Sequence, residues 1–396
     1  MRHPALEPFA LGDLVLRNRT VRTAANESMA RRGQVTDALI AHHATLARHQ
    51  VALTTVAYGA VHPDGRTFEH QLLVDRWFLP GLTDLTRAVH AEGGAVSLQL
   101  VHCGGFAKRP TSDGRAPGGP SVDVNPYGLM HGVPRIRALT AAEIEATVHD
   151  FVTAAQVAEA AGFDAVEVHC GHGYLISQFL SPRLNRRRDA WGGDLVGRSR
   201  LAVSVVREIR TALGPGFPIL VKLNTSDGLR GGLEVDASAQ VARWLVQAGA
   251  SGIVPTGGLV QKSAFFLLRG PLPLREMVRS ERHVLQKWAL RLFAPLYVRP
   301  YPYTPLFFRQ AARVLRDAVD VPVGLLGGVE GSATIRAALA DGFAFVVMGR
   351  ALIADPDLVA RIARGEPAET RCTHCNVCVA RTDAHPLACV LPDDVS

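Results

Sequence analysis

Two histidines and a tyrosine lie at close spacing directly after a short apolar run. The run 166–168 leads into His169, His172 and Tyr174, with glycines between them. Two imidazoles in such a turn can both donate hydrogen bonds to one ligand oxygen, which would polarise a carbonyl or hold a phenolate. A phenol beside them could supply a proton to carbon. The alternatives are inert loop histidines or metal ligands, although no third ligand follows at a suitable spacing.

Two later apolar runs each end in glycine. One is followed by Gly327 and Gly328, and the other by Gly349 and Arg350. Glycine lets backbone N–H groups approach a phosphate closely, and an arginine can bind the same phosphate through two hydrogen bonds. A single glycine pair is typical of many turns, but the two pairs together favour a phosphorylated cofactor.

Two further polar residues interrupt apolar runs. Lysine occurs at only four positions of the chain, and one of them, Lys222, lies among apolar strand residues. Beside a flavin, this charge would stabilise the anionic reduced ring. Gln99 lies in a second apolar run, and its amide can both donate and accept hydrogen bonds, as a pyrimidine edge requires. For Gln99 alone, a purely structural role is an equal alternative.

Four of the six cysteines are close together near the carboxyl end, at Cys372, Cys375, Cys378 and Cys389. In an intracellular chain, such a group indicates metal binding before disulfides. The spacing suits a [4Fe–4S] cluster and zinc about equally. A metal-free tail folded against the rest of the chain is the third interpretation.

The elements that would position these residues alternate along the chain. Short apolar strands alternate with stretches of helical periodicity, of which Ala141–Ala161, capped by Thr140, is the clearest. This alternation predicts parallel strands joined by crossover helices, and eight such units close into a (β/α)8 TIM barrel. A doubly wound sheet is the alternative, but no early glycine-rich fingerprint supports it. The predicted strands are Val21–Ala25, Leu53–Ala57, Ala95–Leu100, Ala165–His169, Ile219–Leu223, Gly252–Pro255, Val321–Leu326 and Phe345–Met348.

Two long connections and the cysteine tail complete the organisation. The connections, 101–137 and 256–305, follow the third and sixth strands at their carboxyl ends, where barrel active sites lie. We expect them to be lids or substrate walls, and the second could equally form a subunit contact. The barrel is predicted to occupy residues 1–365, and the cysteine-rich tail residues 366–396.

Composition excludes several classes of protein. With 47% hydrophobic and 20% charged residues, the 396-residue chain is neither disordered, nor collagenous, nor a disulfide-stapled miniprotein. The longest near-apolar stretch, Val51–Val61, is too short to span a bilayer, and Asp13 breaks the one candidate signal sequence. We therefore expect a soluble, cytoplasmic protein without membrane contact. The formal charge of +7 is scattered, except at 186–188, which favours a solvated surface over a nucleic-acid face.

The segments that carry this chemistry resemble the old yellow enzyme family of FMN-dependent ene-reductases. The most specific match runs from Glu167 to Pro182 and continues to Gly193, and further matches lie at 16–19, 63–66, 98–102 and 345–352. The similarity extends in order over nearly all of residues 5–365. It implies a TIM barrel that binds FMN, accepts electrons from NAD(P)H and acts on a small molecule.

The resemblance also implies a role for each site residue. His169 and His172 match the pair that binds the activating oxygen of the substrate, and Tyr174 matches the proton donor. Many relatives have Arg at position 222, and relatives often have Pro and Thr or Cys near positions 24 and 25. The implied FMN contacts are Ala24, Ala25, Ala60, Gln99, Lys222, Gly327, Gly328, Gly349 and Arg350.

The tail resembles the [4Fe–4S] segment of the 2,4-dienoyl-CoA reductase and trimethylamine dehydrogenase branch of this family. The second gap between cysteines is two residues here, where that branch usually has three. The resemblance to this branch makes a [4Fe–4S] cluster a candidate second cofactor beside FMN. Zinc is the alternative.

Three hypotheses about function follow. The first is an FMN-dependent NAD(P)H oxidoreductase that reduces activated C=C bonds of enones and enoyl compounds, with hydride from FMN N5, an enolate held by His169 and His172, and protonation by Tyr174. The second is an FMN/[4Fe–4S] amine demethylase-type dehydrogenase. The third is a dihydrouridine synthase-type RNA-modifying flavoenzyme, which would need Cys103 as its proton donor. The physiological alkene, the choice between NADH and NADPH, and homo-oligomer formation are left open.

Overall fold

Eight parallel strands form the centre of the computed structural model, which describes residues 3–281, 284–297, 299, 301–366, 368–382 and 385–391. From the first strand to the sixth, each strand pairs with the next along the chain, and the seventh pairs with the eighth, which pairs with the first. A parallel bridge between Ile253 and Val323 joins the sixth strand to the start of the seventh. The predicted TIM barrel is therefore confirmed. Its strands are β1 Thr20–Arg22, β2 Leu53–Ala60, β3 Ala95–Val101, β4 Ala165–Cys170, β5 Ile219–Asn224, β6 Gly252–Thr256, β7 Gly324–Leu326 and β8 Phe345–Met348.

All eight strands lie where the sequence places them, but three of them, β1, β2 and β7, differ from the predicted bounds by three residues at one end, and β7 begins at Gly324 instead of Val321. β1 ends at Arg22, and residues 23–25 leave the sheet and line the cavity at its mouth. β2 continues to Ala60, because Ala60 keeps a hydrogen-bond ladder with Leu72 and Val74 after its register with β3 shifts.

Helices surround the barrel. The clearest predicted helix is α3, which begins after a capping box: the Thr140 hydroxyl accepts a hydrogen bond from the Glu143 N–H, and the Glu143 carboxylate accepts one from the Thr140 N–H. Gly162, at φ +85°, lies directly after the end of this helix and stops it. In the described residues the helices are α1 Asp37–Arg48, α2 Leu79–Ala91, α3 Ala141–Ala160, α4 Leu175–Leu180, α5 Leu195–Leu213, α6 Val235–Gln247, α7 Val260–Leu268, α8 Leu274–Ser280, α9 Val284–Tyr297, α10 Arg309–Arg316, α11 Ser332–Ala340, α12 Arg350–Ala354, α13 Leu358–Ala363 and α14 Val377–Ala380.

An antiparallel hairpin packs against one end of the barrel. Phe9–Leu11 pairs with Leu14–Leu16, and its apolar residues join Val21, Leu53 and other strand residues in a separate apolar cluster. Because polar loops collect at the opposite end, where the strands have their carboxyl ends, that end carries the functional site.

The two long connections have structures of their own. Within 101–137 and just beyond it, Gly118–Gly119, Asp123–Val124 and Arg135–Ala138 form a small three-stranded sheet. The second connection contains α7, α8 and α9, and Phe265, Leu267 and Leu268 of α7 line the barrel cavity. This supports the expected wall function for α7. Within the 291–297 segment, the side chains of residues 293 and 295–297 lie outside the described residues, as do residues 282–283, 298 and 300.

The described part of the tail packs on the barrel. Ala368 and Leu387 are buried, Thr370 N–H donates to the Glu330 carbonyl, and Leu387 N–H donates to the Glu27 carbonyl at 2.8 Å. Residues 367, 383–384 and 392–396 of the predicted tail lie outside the described residues, and the division at residue 365 stays a prediction. None of the helices described combines the length and the apolar character that crossing a membrane requires.

Candidate active site

A cavity of about 990 Å³ opens at the carboxyl ends of the barrel strands. Its size is at the upper end of what cofactor sites occupy. Ten of the twelve residues predicted for catalysis or FMN contact meet in its wall; Ala60 and Lys222 are the exceptions. The ten are Ala24, Ala25, Gln99, His169, His172, Tyr174, Gly327, Gly328, Gly349 and Arg350.

The two histidines are positioned by different parts of the backbone, one by a barrel strand and the other by a turn. His169 belongs to β4, and His172 follows in a turn at φ +59°. The two ring centroids lie 4.8 Å apart at 74°. His172 Nε2 lies 2.8 Å from Thr256 Oγ1, whereas His169 Nδ1 is buried without a hydrogen-bond partner among the described residues. That unsatisfied nitrogen identifies His169 as a group that a ligand would complete.

Burial keeps both imidazoles neutral. Desolvation, together with the positive charge of Lys222, lowers the pKa of His172 to about 3. Desolvation also holds the pKa of His169 well below its usual value, with smaller contributions from His172 and Lys222. Each ring therefore carries one N–H donor and no net charge at neutral pH.

Tyr174 begins α4, and its ring completes the group. The ring centroid lies 4.8 Å from that of His169, and Phe106 packs edge-on at 5.4 Å. The phenol is 6% exposed, and burial raises its pKa well above the ordinary value, with a smaller effect from the neighbouring Tyr58. Tyr174 therefore stays protonated at neutral pH, as a proton donor must.

Lys222 lies behind the cavity wall instead of facing into the cavity. Its ammonium donates to Thr23 Oγ1 at 3.0 Å and to Glu167 Oε1 at 2.9 Å. Gln99 Nε2 donates to the same Glu167 oxygen at 2.7 Å. Thr23 and Gln99 line the cavity, and Lys222 and Glu167 support them from behind, while the flavin contact predicted for Lys222 stays a prediction.

Ala60 also lies away from the cavity. Its N–H and carbonyl are both used in hydrogen bonds with Leu72 and Val74, and its side chain is fully buried. Side chains alternate along a regular strand, so Tyr58 and Ala60 would be expected on the same side of the sheet. The register shift between Val56 and Gly59 interrupts this alternation. Tyr58 lines the cavity, whereas Ala60, the small residue that the resemblance places near the ring, does not.

The glycines allow a close packing of this loop that larger residues would prevent. A Cβ on Gly328 would lie 2.5 Å from the Leu306 nitrogen, and one on Gly327 would lie 2.7 Å from the Phe308 ring. Arg350 lines the same region, and its guanidinium donates to Asn376 Oδ1 at 2.6 Å. The backbone N–H groups, the arginine and the open cavity fit a phosphorylated cofactor, and Gln99 and Thr23 fit a flavin edge.

The four tail cysteines are free and partly buried. Arg350 faces Cys372 and Cys378, and its charge opposes the increase in thiol pKa that burial causes. In the described part of the chain, the one group of three potential ligands within 4.8 Å of one another is Glu27, His42 and His43, so no three cysteine sulfurs come that close. Four free thiols at this spacing fit a [4Fe–4S] cluster and zinc alike.

The Glu27 group is a structural ion pair. Arg22 donates to Glu27 Oε1 at 2.5 Å, and the Glu27 carboxylate also accepts the Ala57 N–H at 3.1–3.2 Å. Because an arginine already matches the carboxylate charge, a cation would add unbalanced positive charge to a buried site. Sequence reasoning missed Glu27, Glu167 and Tyr58. An acidic residue inside the apolar run 165–170 was the available signal for Glu167.

Comparison with known proteins agrees with this site. Residues 5–255 match the NADH:flavin oxidoreductase / NADH oxidase family. The chain is 40% identical over 376 residues to the 4,4'-dithiodibutanoate disulfide reductase of Rhodococcus erythropolis, covering 94% of this chain and 91% of the relative. It is 31% identical to the NADH oxidase of Thermoanaerobacter brockii over 372 residues, which is 93% of this chain and 52%, or about half, of that protein.

Solved structures show the same fold. A 2-naphthoyl-CoA reductase complex has a TM-score of 0.81 at 24% identity, covering 98% of this chain and 56% of that one. Morphinone reductase has a TM-score of 0.70 at 22% identity, covering 95% and 93%. Fold and site together define a barrel enzyme of flavin-dependent oxidoreduction. The chain belongs to the NADH:flavin oxidoreductase / NADH oxidase family, which confirms the resemblance to the old yellow enzymes and indicates FMN and NAD(P)H.

Replacing Glu167 tests the buried ion pair. Glu167→Gln leaves the Lys222 ammonium buried without its carboxylate, so we expect the free energy of unfolding to fall by about 3 kcal/mol. Urea unfolding of the variant measures this, and Glu167→Gln/Lys222→Gln should recover most of the loss. Glu208→Gln, the same change at an exposed position of α5, is the control. Equal stability of E167Q and E208Q would contradict the ion pair.

Stability should depend on pH through the depressed histidine pKa values. His172, at about 3, and His102, at about 4, bind protons in the unfolded chain near pH 6.5 but not in the folded chain above those values. Their stabilising contribution is complete above pH 6.5 and is lost as pH falls towards 4, by about 1.4 kcal/mol per pH unit for each histidine. Urea unfolding at several pH values should therefore show a shallower decline for His172→Asn and for His102→Asn than for the parent chain. Parallel curves for all three proteins would contradict the assignment.

Proposed function

We propose that this enzyme reduces activated C=C bonds, with the substrate oxygen bound by His169 and His172 and the α-carbon protonated by Tyr174. The observation that carries the proposal is the convergence of the three rings, with both centroid separations from His169 at 4.8 Å, on one buried wall of the cavity. Family membership supplies the redox chemistry, and these three residues supply the substrate chemistry.

The histidine pair suits an oxygen that becomes negative during the reaction. Two neutral N–H donors in a desolvated site stabilise the negative charge that develops on an enone oxygen. Because these donors carry no net charge, they do not first bind a competing anion. Substrate polarisation therefore follows from placement of the donors and from the burial of their rings.

Tyr174 suits the proton transfer that completes the reduction. Its phenol is protonated and lies beside the histidines, so a substrate oxygen on the pair places the neighbouring carbons near the hydroxyl. FMN, when bound, accepts a hydride from NAD(P)H and supplies one to the β-carbon. Gln99, Thr23, the glycines at 327, 328 and 349, and Arg350 would hold it.

A second candidate is reductive cleavage of a disulfide that carries carboxylates. The relative at 40% identity is named for the reduction of 4,4'-dithiodibutanoate. Here Lys108 lines the same cavity as Tyr174, and its ammonium, 4.6 Å from the centre of the Tyr127 ring, has the charge that suits a carboxylate. Hydride addition to one sulfur would break the S–S bond, and Tyr174 would protonate the departing thiolate.

The proposal of RNA modification finds no support in the cavity. Cys103, which that alternative requires as a proton donor, does not line the cavity, and its sulfur lies 3.4 Å from the Arg66 carbonyl. Burial raises the pKa of its thiol to about 12. Cys103 therefore fits a structural role.

We also propose that Cys372, Cys375, Cys378 and Cys389 hold a [4Fe–4S] cluster. Two features support it: the thiols are free, and the Arg350 guanidinium lies beside an assembly that would be anionic. Arg350 also contributes to the wall of the main cavity, so it lies between the two proposed cofactors.

Removing the Tyr174 hydroxyl separates the two halves of the reaction. In the FMN-loaded Tyr174→Phe variant, we expect flavin reduction by NAD(P)H to persist, while reoxidation by cyclohexenone slows by roughly 10²-fold or more because the proton donor is lost. Anaerobic stopped-flow absorbance at the flavin band measures each step.

Three substrates in that assay distinguish the candidate functions. Fast reoxidation by cyclohexenone supports alkene reduction, fast reoxidation by 4,4'-dithiodibutanoate supports disulfide reduction, and reduction of the oxidised enzyme by an alkylamine supports the dehydrogenase alternative. Reoxidation of the parent enzyme by neither acceptor, or equal cyclohexenone rates in parent and Y174F, would contradict the main proposal.

Iron analysis tests the cysteine site. Anaerobically purified chain should contain about four irons and, after reduction, give an electron paramagnetic resonance signal typical of a [4Fe–4S] centre. Cys375→Ser should lose both, whereas Cys103→Ala should keep both because Cys103 lies apart from the tail. Stoichiometric zinc without iron would show that the site is a zinc site instead.

A further inference from the structure

Arg350 is a half-buried cation in the cavity wall, and it forms no ion pair within the part of the chain that the structure describes. Glu330, which lines the same cavity, contacts His374 Nε2 instead. The Arg350 Nη1 group donates to Asn376 Oδ1 at 2.6 Å and to the Arg269 carbonyl at 3.1 Å. Both hydrogens of Nη1 are thereby used. The three N–H groups of Nε and Nη2 have no hydrogen-bond partner among the described residues, so they can bind an anion in the cavity.

Asn376 holds this arginine from the cysteine tail. It lies between the second and third tail cysteines, is 1% exposed and adopts the left-handed backbone conformation at φ +61°, which asparagine tolerates better than most residues. Its Nδ2 donates to the carbonyls of Arg269 and Pro271, both at 3.1 Å, while Oδ1 accepts the bond from Arg350. Rotation of the amide would break all three bonds, so the acceptor that faces Arg350 is fixed.

A second contact joins the same arginine to the tail. The ring of Tyr303 stacks on that of His374, with centroids 3.5 Å apart at 13°, and the Arg350 guanidinium lies 5.8 Å from the Tyr303 centroid. A Cβ on Gly270 would lie 2.6 Å from the His374 carbonyl oxygen, so the tail packs closely against the segment 269–271. Residues of the tail therefore contact the surroundings of Arg350 at two points, through Asn376 and through His374.

These contacts link the order of the tail to the binding of a phosphate. An arginine side chain loses rotamer freedom when it binds a ligand, and one that is already held in place loses less. Metal binding by Cys375 and Cys378 would fix the segment that carries Asn376 at both of its ends. Occupancy of the cysteine site and affinity for the phosphate are then coupled, and such coupling acts equally in both directions.

We propose that Asn376 is a positioning residue for the phosphate of FMN, and that through it the retention of FMN depends on the cysteine site. The inference rests on the two cofactor sites of the proposed function, and it is independent of the substrate and of whether the metal is iron or zinc. Arg350 binds the phosphate with Nε and Nη2, while Asn376 holds Nη1 from the opposite side of the guanidinium.

Flavin binding to the anaerobically purified, flavin-depleted chain tests this without turnover. Asn376→Gly removes the amide but suits the left-handed backbone. We expect the Kd for FMN, measured by quenching of flavin fluorescence, to rise roughly 10-fold, because a hydrogen bond to a charged group is lost. Riboflavin has no phosphate, so its Kd should stay within about twofold of the parent value. Thr373→Ala, at an exposed position of the same loop, is the matched control and should change neither Kd.

Two results of this titration would overturn the proposal. One is equal affinity of N376G and the parent chain for FMN. The other is an equal loss of FMN and riboflavin binding, which would indicate general damage to the cavity instead of an effect on the phosphate.

A double-mutant cycle tests whether Asn376 acts through Arg350. Arg350→Ala should weaken FMN binding by itself. Once the guanidinium is gone, Asn376 has nothing to position, so adding N376G to R350A should change the Kd for FMN by less than about twofold. Additive losses would show that Asn376 acts by another route and would overturn the proposal.

Cys375→Ser tests the dependence on the cysteine site. We expect it to weaken FMN binding roughly 10-fold with little change for riboflavin, because the Asn376 segment loses its fixed end. Cys103→Ala should keep the parent affinity for both flavins. FMN binding as tight in C375S as in the parent would overturn the dependence on the cysteine site, and a parent chain that binds neither flavin would overturn the FMN assignment as well. Absence of alkene reduction would overturn the proposed function alone, because these titrations need no turnover.

Discussion

Desolvation of the histidine pair and of Tyr174 at the carboxyl end of the barrel is the constraint on which the site depends. Desolvation is the largest influence on the pKa of His169, His172 and Tyr174, and it keeps the imidazoles neutral and the phenol protonated. The same residues on an open loop would carry mixed charge near neutral pH and would compete with water for any substrate oxygen. Burial therefore creates a set of neutral hydrogen-bond donors, and the directions in which these donors point decide what they bind.

Burial of charged groups costs desolvation free energy, and the barrel offsets this cost by pairing its buried charges. Lys222 is matched by Glu167 and Arg22 by Glu27, and both carboxylates accept further hydrogen bonds, from Gln99 and from Ala57 N–H respectively. Each pair thus supports a part of the cavity wall. Glu167 supports the flavin-edge groups, and Glu27 supports the strand that carries Tyr58. Lys222 does not line the cavity. Its charge acts there through the hydrogen bond to Thr23 and through its electric field.

Much of this could be predicted from sequence because local patterns specify it. Apolar runs between helical segments located all eight strands, and the motif from His169 to Tyr174 was visible because three polar rings at a strand end have few structural uses. The sequence did not indicate that Lys222 and Ala60 lie outside the cavity wall. Whether a strand residue faces the cavity or the sheet depends on register, and the shift between Val56 and Gly59 in β2 cannot be read from alternation alone. The pairing of Glu167 with Lys222 joins β4 to β5, and such contacts between strands have no local signature.

Binding of a phenolate to the FMN-loaded enzyme tests the central claim, that a neutral histidine pair at the buried barrel end recognises a negative oxygen. Spectral titration with 4-nitrophenol across pH 5–9 should show tight binding of the phenolate form with a flavin charge-transfer band, and His169→Ala should weaken binding at least 10-fold without loss of FMN. Binding that is absent, or that is equally strong in H169A, would contradict the account.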